Sequence, residues 1–350
     1  MKIAQVAPLV ESVPPQLYGG TERVVSWLTE DLVRRGHDVT LFASGDSRTA
    51  AELVPIVPRA LRLDPNTRDC LPHNMLLVDE VYARADEFDI IHFHVDLIHC
   101  PLFRSLAERT VTTLHGALDS PDLQPFYRKF PEMPLVSISH AQRAPMSPVN
   151  WVATVHHGMP KDLYRAHPDG SSDYLAFVGR ISPEKGIETA IDIAERAAMP
   201  LKIAAKVDKL DRDYFEARVK PRLSSEYVEF VGEANDREKN ELLCKARAML
   251  FPIRWPEPFG IVMIEAMACG TPVIAFNCGS VPEVLENGVT GLIVESTEQA
   301  AAAVHRASAL DRRQIRKRFE QRFTVEQMTA KYLEVYARLL DSRMGAIAAA

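Results

Sequence analysis

Apolar and polar positions along the chain alternate between short buried strands and amphipathic helices. Lys2–Pro8 is a short apolar run that ends in a loop carrying Pro14, Pro15, Gly19 and Gly20. A helical pattern follows, with Val24, Val25, Leu28, Leu32 and Val33 on one face and Gly36 as its stop. Asp38–Ala43 is again a strand-length apolar run. Strand, helix and strand in about 45 residues make a βαβ unit, and such units imply a parallel sheet. The alternation continues with strands at Ile90–His94, Thr110–His115, Leu135–Ser139 and Trp151–His156.

The pattern restarts at Tyr174–Val178, followed by a Gly-Arg turn and a helix over Lys185–Ala198. Further strands are expected at Leu201–Ala205, Val228–Val231, Ala248–Phe251, Pro272–Phe276 and Gly291–Val294. Lys161–Asp173, rich in Pro, Gly, Ser and Asp, reads as the linker. The expectation is an α/β protein with two domains, residues 1–160 and 161–325. A final helix, Val325–Ser342, has no strand after it, so residues 326–350 are expected to pack back on the first domain with a frayed tail at Gly345–Ala350. In open parallel sheets ligands sit beyond the carboxyl ends of the strands, so candidate residues are sought there.

Composition narrows the class. The 350 residues are 47% hydrophobic and 25% charged, the balance of a globular protein with a sizeable core. The formal charge is −6 and no long basic run offers a nucleic-acid footprint. Cys70, Cys100, Cys244, Cys269 and Cys278 are odd in number and lack CxxC spacing, which argues against a disulfide framework or zinc site. No apolar run reaches the ~20 residues of a membrane span. A cytoplasmic protein with at most peripheral membrane contact is expected.

Chemistry concentrates in four segments. In Phe251–Ile274 a strand ends in a proline-rich loop, and a helix is expected from about Phe259–Gly260 to Cys269. The amides of Gly260, Ile261 and Val262 at its start favour an anion such as a diphosphate. Glu257 and Glu265 repel phosphate and suit hydroxyl donors instead; a capped core helix with two surface glutamates is the plainer alternative. In Phe177–Gly186, Arg180 and Lys185 stand five apart and are standard partners of phosphate oxygens, or else Arg180 simply pairs with Glu184 in a solvated turn. Tyr18-Gly19-Gly20-Thr21-Glu22 precedes the first helix, where paired glycines free amides for an anion or a sugar and Glu22 caps the helix start. His115 directly follows a strand. His92 and His94 end another, where hydrogen-bonded histidines are expected over a metal pair, since no further ligand set accompanies them.

Together these segments resemble the family 4 retaining glycosyltransferases of GT-B fold, also called glycosyl transferases group 1. Glu257 to Glu265 resembles their E-x7-E signature, Phe177 to Gly186 their phosphate loop, Tyr18 to Glu22 their Gly-Gly loop, Thr113 to Gly116 their active-site histidine, and Ala266 to Gly291 their C-terminal stretch. The resemblance implies two facing Rossmann-like domains with parallel sheets and a cleft between them, the acceptor side N-terminal and the donor side C-terminal. It implies a catalytic set of His115, Arg180, Lys185 and Glu257. Donor binding would fall to Gly19, Gly20, Arg180, Lys185, Val231, Phe259, Gly260, Ile261, Val262 and Glu265. Arg180 and Lys185 would neutralise the diphosphate, Glu257 would hold sugar hydroxyls, Glu265 the ribose diol, and the backbone about Val231 the base. The reaction would be a metal-independent, retaining hexosyl transfer from a UDP-, GDP- or ADP-sugar, with no other cofactor, to a small-molecule or glycan hydroxyl. Residues 1–160 carry 14 Lys and Arg against 19 Asp and Glu, which favours a soluble acceptor.

Two segments depart from the family pattern: His157-Gly158-Met159-Pro160, at the expected hinge, and Ala205-Lys206, where Lys206 is either a phosphate contact or exposed. The competing readings are a non-catalytic sugar-nucleotide-binding protein, an inverting transferase or epimerase, and a pyridoxal-dependent phosphorylase, for which the chain is short.

Overall fold

A computed structural model of the chain describes all residues except 17, 18, 147, 168–172 and 350, and the backbone alone at 343–349. The chain divides into two units, Met1–Pro160 with Val325–Ala350, and Lys161–Thr324. Each is built on a wholly parallel sheet.

The first unit holds seven strands: β1 Lys2–Val6, β2 Asp38–Ser44, β3 Glu52–Val57, β4 Ile90–Phe93, β5 Thr110–Thr113, β6 Leu135–Ser137 and β7 Trp151–Thr154, in the order β3-β2-β1-β4-β5-β6-β7. The second holds six: β8 Leu175–Arg180, β9 Leu201–Lys206, β10 Val228–Gly232, β11 Ala248–Phe251, β12 Val273–Phe276 and β13 Gly291–Val294, in the order β10-β9-β8-β11-β12-β13. Both sheets run outward from their first strand in one direction and then in the other. The reversal lies between β1 and β4 in one and between β8 and β11 in the other, and it opens a crevice at the strands' carboxyl ends.

The strands form where apolar runs are buried on both faces. Ile3, Ala4 and Val6 of β1, and Leu175, Ala176 and Phe177 of β8, are buried. β3 was not expected from the sequence. Its run Glu52-Leu-Val-Pro-Ile-Val57 carries a proline and lies at the sheet edge, where a missing amide is tolerated. Gly179 and Arg180 belong to β8 itself, with Arg180 paired in register with Lys206, so the turn expected at Gly-Arg begins two residues later, at Ile181.

The last helix, Val325–Ala349, belongs to the first unit. Val325 donates its amide to the Met159 carbonyl at 2.9 Å, and Arg35 reaches the Glu326 carbonyl at 2.9 Å. Tyr332 and Tyr336 are fully buried against the sheet residues Thr113 and Gln5. The expected departure at His157–Pro160 is thus tied to this helix, Gly158 giving its amide to the Met328 sulfur at 3.2 Å. Of the expected tail, Gly345–Ala349 is helical in backbone, while its side chains and Ala350 lie outside the described residues. Part of the expected linker is core: Tyr164 is fully buried, and 168–172 lie outside the described residues.

Candidate active site

In the second unit the chemistry gathers at the carboxyl ends of β8 and β11, the two strands at the reversal. After β8 the chain makes a short turn over Pro183–Lys185, passes Gly186 with φ +73°, and enters the helix Ile187–Arg196. A Cβ on Gly186 would lie 2.1 Å from the Pro252 carbonyl oxygen, so glycine lets the loop after β8 lie directly on the loop after β11. That contact brings together residues far apart in sequence. Lys185 Nζ lies 2.5 Å from Glu257 Oε2, which also accepts from Trp255 Nε1 at 2.9 Å. The ammonium sits 5.1 Å from the centre of the Trp255 ring. Arg180 pairs with Glu184 at 2.7 Å and with Asp211 at 3.4 Å.

These pairs make the site electrostatically self-contained without a ligand. Burial pushes the Glu184 carboxyl up, but hydrogen bonds from Ser182 and its own backbone, with Arg180 beside it, outweigh that and hold it below the ordinary carboxylate range. An anion that takes over Arg180 and Lys185 releases Glu184, Asp211 and Glu257 from those two cations, while Ser182 still bonds Glu184 and Trp255 still bonds Glu257.

The helix that follows Glu257 is shorter than expected, Ile261–Ala268, with Gly260 as its left-handed N-cap. The Met263 amide bonds to the Gly260 carbonyl at 3.0 Å, so by helix geometry the free donors are those before it, at Ile261 and Val262. Phe259 is different: its ring is core, edge-on to Phe323 at 6.1 Å, which leaves only its backbone for a ligand. Glu265 is no surface glutamate. It is 2% exposed, and its Oε1 accepts from Lys239 Nζ at 2.7 Å and Tyr164 Oη at 3.2 Å, while Oε2 has no hydrogen-bond partner. Val231 is the penultimate residue of β10 and is 48% exposed. Lys206 closes β9 and lies 3.7 Å from Asp208. Trp255, Tyr164, Lys239 and Asp211 were not anticipated. Trp255 is two residues from Glu257 and was legible as a neighbour; the others come from distant segments, and nothing local to them signals the contact.

In the first unit the candidate residues also lie at strand ends. Gly19 is the extended N-cap of the helix Gly20–Arg34, which Gly20 opens, while Tyr18 lies outside the described residues. Glu22 was read as a capping residue. It is buried, and burial foremost, with Glu11 nearby, pushes its carboxyl up. His92 and His94 are hydrogen-bonded as expected, His92 to Thr113 and Tyr336 at 2.7 Å each, His94 to Gln5 and His115 at 2.9 Å each. His115 is half-buried and stacks on His157 with ring centres 5.3 Å apart. Gln142 gives its amide hydrogens to the Leu114 carbonyl at 2.9 Å and the Gly116 carbonyl at 2.8 Å, which clamps the backbone on both sides of His115.

These histidines bear on stability. Burial pushes His99 and His115 down to about 3 and holds His92, His94 and His157 well below the usual histidine range. Above the unfolded value of 6.5 both states are neutral and nothing is lost. As pH falls from there towards 3, the unfolded chain takes protons that the native chain refuses. Stability then declines by about 1.4 kcal/mol per pH unit for each fully buried ring. The thermal midpoint should therefore drop steeply between pH 6.5 and 5, before carboxylates titrate, and His99→Gln should flatten the slope. A midpoint constant over that interval would contradict the buried neutral state.

Comparison with known proteins finds glycosyltransferases. The model of the glycosyl transferases group 1 matches residues 164–324, and that of glycosyltransferase family 4 matches residues 18–143. Among curated relatives, the O-antigen chain mannosyltransferase C of Escherichia coli is 25% identical, covering 94% of this chain and 97% of its own. A phosphatidyl-myo-inositol mannosyltransferase of Propionibacterium freudenreichii subsp. shermanii is 29% identical, covering 87% and 84%. Among solved structures, a glycosyltransferase of avilamycin A biosynthesis superposes with a TM-score of 0.72 at 24% identity, over 97% of this chain and 98% of that one. HepE of Anabaena, in complex with UDP and glucose, gives 0.75 at 20% identity over 97% and 100%.

Proposed function

We propose the following reaction for this chain, which belongs to the family 4 glycosyltransferases (glycosyl transferases group 1) and has their GT-B fold: transfer of a hexose from a nucleoside-diphosphate sugar to a hydroxyl acceptor, with retention of anomeric configuration. The observation that carries the donor assignment is the meeting of Lys185 and Glu257, 2.5 Å apart, beside a helix start at the sheet's reversal. A cation, a hydroxyl-accepting carboxylate and free amides at one point suit a molecule that is anionic at one end and polyhydroxylic at the other.

Incoming diphosphate oxygens take Lys185, Arg180 and the amides of Ile261 and Val262. Glu257, released from Lys185, accepts hydrogens from sugar hydroxyls. Glu265 offers its unpartnered Oε2 to the ribose diol, and the backbone beside Val231 meets the base. Negative charge grows on the leaving diphosphate as the glycosidic bond breaks, and the two cations and helix start already stand where it appears. We assign that neutralisation to these groups rather than to a divalent ion, and no cofactor besides the donor is invoked. The departing phosphate then takes the acceptor's proton on the same face, which preserves configuration. The acidic balance of residues 1–160 favours a soluble acceptor over an anionic lipid surface.

Thermal unfolding with UDP, GDP, ADP and their hexose conjugates tests the reading. A ligand at a hundred times its Kd adds about 2.7 kcal/mol and raises the midpoint. One nucleotide should stand out, its sugar conjugate should release free diphosphate on turnover, and the product's anomeric configuration should match the donor's. No shift with any of them, or an inverted product, would overturn the assignment.

A further inference from the structure

A line of buried polar side chains runs through the first unit from the last helix to His115. It comprises Tyr332, Thr113, His92, Tyr336, Gln5 and His94, each 2% exposed or less. Successive contacts are Tyr332–Thr113 at 3.0 Å, Thr113–His92 Nε2 at 2.7 Å, and His92 Nδ1–Tyr336 at 2.7 Å. They continue with Tyr336–Gln5 Nε2 at 3.2 Å, Gln5 Oε1–His94 Nε2 at 2.9 Å, and His94 Nδ1–His115 Nε2 at 2.9 Å. Each bond needs one hydrogen and one lone pair, and each neutral imidazole supplies one of each. Burial keeps these rings neutral. The line therefore has a direction, and one residue sets it.

That residue is Gln5, whose amide oxygen faces His94 and whose nitrogen faces Tyr336. The oxygen only accepts, so His94 carries its hydrogen on Nε2 and leaves Nδ1 bare. A bare Nδ1 only accepts, so His115 donates from Nε2. His115 Nδ1 is then a lone pair, and it makes no hydrogen bond to the protein. On the other arm the Gln5 nitrogen donates to the Tyr336 hydroxyl. Tyr336 donates to His92 Nδ1, His92 Nε2 to Thr113, and Thr113 to Tyr332. Turning the Gln5 amide over would reverse every hydrogen in the line.

We propose that Gln5 and His94 are positioning residues that hold His115 in its Nε2–H tautomer, so that His115 meets its ligand through Nδ1 as the acceptor of a hydroxyl hydrogen. The ligand chemistry this selects is a hydroxyl, as on a sugar, and not a phosphate or carboxylate oxygen. The tautomer stands on the hydrogen-bond geometry of neutral, buried rings; its use in glycosyl transfer rests on the reading above. Gln142, holding the carbonyls on either side, fixes the backbone that carries the ring, and the ring itself is held by His94 and by stacking on His157.

The test is long-range proton–nitrogen NMR of the full chain carrying labelled histidine, with His115 signals assigned from their loss in His115→Asn. The expected result is a protonated, pyrrole-type Nε2 and a bare, pyridine-type Nδ1 in the ligand-free wild type. A protonated Nδ1 overturns the proposal, and this arm needs no variant of the line itself. Gln5→Leu should abolish the tautomer preference and lower kcat on the order of a hundredfold, as for a misplaced catalytic group, with KM for the donor unchanged. Gln5→Glu, which keeps an acceptor towards His94, should retain the Nε2–H form. An unaltered tautomer in Gln5→Leu would refute the role of Gln5. Nucleotide binding on the same sample separates the two ideas, because it depends on the second unit: its absence beside the expected tautomer sinks the donor reading alone.

Discussion

Replacing Lys185 with alanine should lower turnover by about a hundred- to a thousandfold, the usual effect of removing one preorganised donor from a developing oxyanion. Two features of the ligand-free site set this expectation. Lys185 is bound at 2.5 Å to Glu257, on the loop that leads into the helix start, and the Trp255 ring beneath it fixes where the ammonium stands. The side chain is mostly buried, so water cannot take over its work cheaply. The fold should survive, because Glu257 keeps the Trp255 indole as a donor at 2.9 Å. The measurement is the initial rate of diphosphate release with the donor picked out by thermal unfolding, beside the unfolding midpoint of the same variant. Activity within a few-fold of wild type at an unchanged midpoint would remove Lys185 from the reaction. Glu257→Gln complements it: the amide keeps an acceptor oxygen but loses the charge that holds Lys185, so a smaller fall in rate with a higher donor KM is expected.

How much of this was legible in the sequence differs between levels. Strand identity was, because a parallel strand buried on both faces is an unbroken apolar run, as in Ile90–Phe93 or Ala248–Phe251. The edge strand Glu52–Val57 was not, since an edge tolerates proline and polar residues that blur the run. The anchors Arg180, Lys185, Glu257 and Glu265 could be named because they lie at or just after strand ends or on the helix that follows one. Their partners could not. Glu265 reads as a surface residue from its helix alone, and only the fold brings Tyr164 and Lys239, 101 and 26 positions away, onto its carboxylate. His92 and His94 looked like strand-end histidines, yet the line they form depends on Tyr332 and Tyr336, from a helix whose sequence points to the first domain but not to the sheet residues it meets.

Gly279→Ala should abolish nucleotide binding, and it shows how narrowly the site is built. Gly279 has φ +57°, and a Cβ there would lie 2.4 Å from the Glu257 amide nitrogen and 2.6 Å from its carbonyl oxygen. Those are backbone atoms of the loop that presents Glu257, so no side chain can swing aside. The Glu257 carbonyl is also held by the Ser280 amide at 3.0 Å, and Ser280 Oγ bonds the Phe259 carbonyl at 2.9 Å, so the turn and the loop move together. Relief of the clash must shift Glu257 away from Lys185 and disturb the helix start behind it. Overpacking typically costs about 1–3 kcal/mol, and the left-handed backbone adds roughly 1–2 kcal/mol for a residue with a Cβ. Gly288→Ala is the control. Its φ is +80° but nothing lies within 4 Å of the added Cβ, so it carries the conformational term alone. Titration of both variants with the nucleotide, alongside their unfolding midpoints, separates the terms. Gly288→Ala should lose some stability and bind normally, whereas Gly279→Ala should lose more stability and bind hardly at all. Equal binding by the two would mean that the loop carrying Glu257 does not form the nucleotide site.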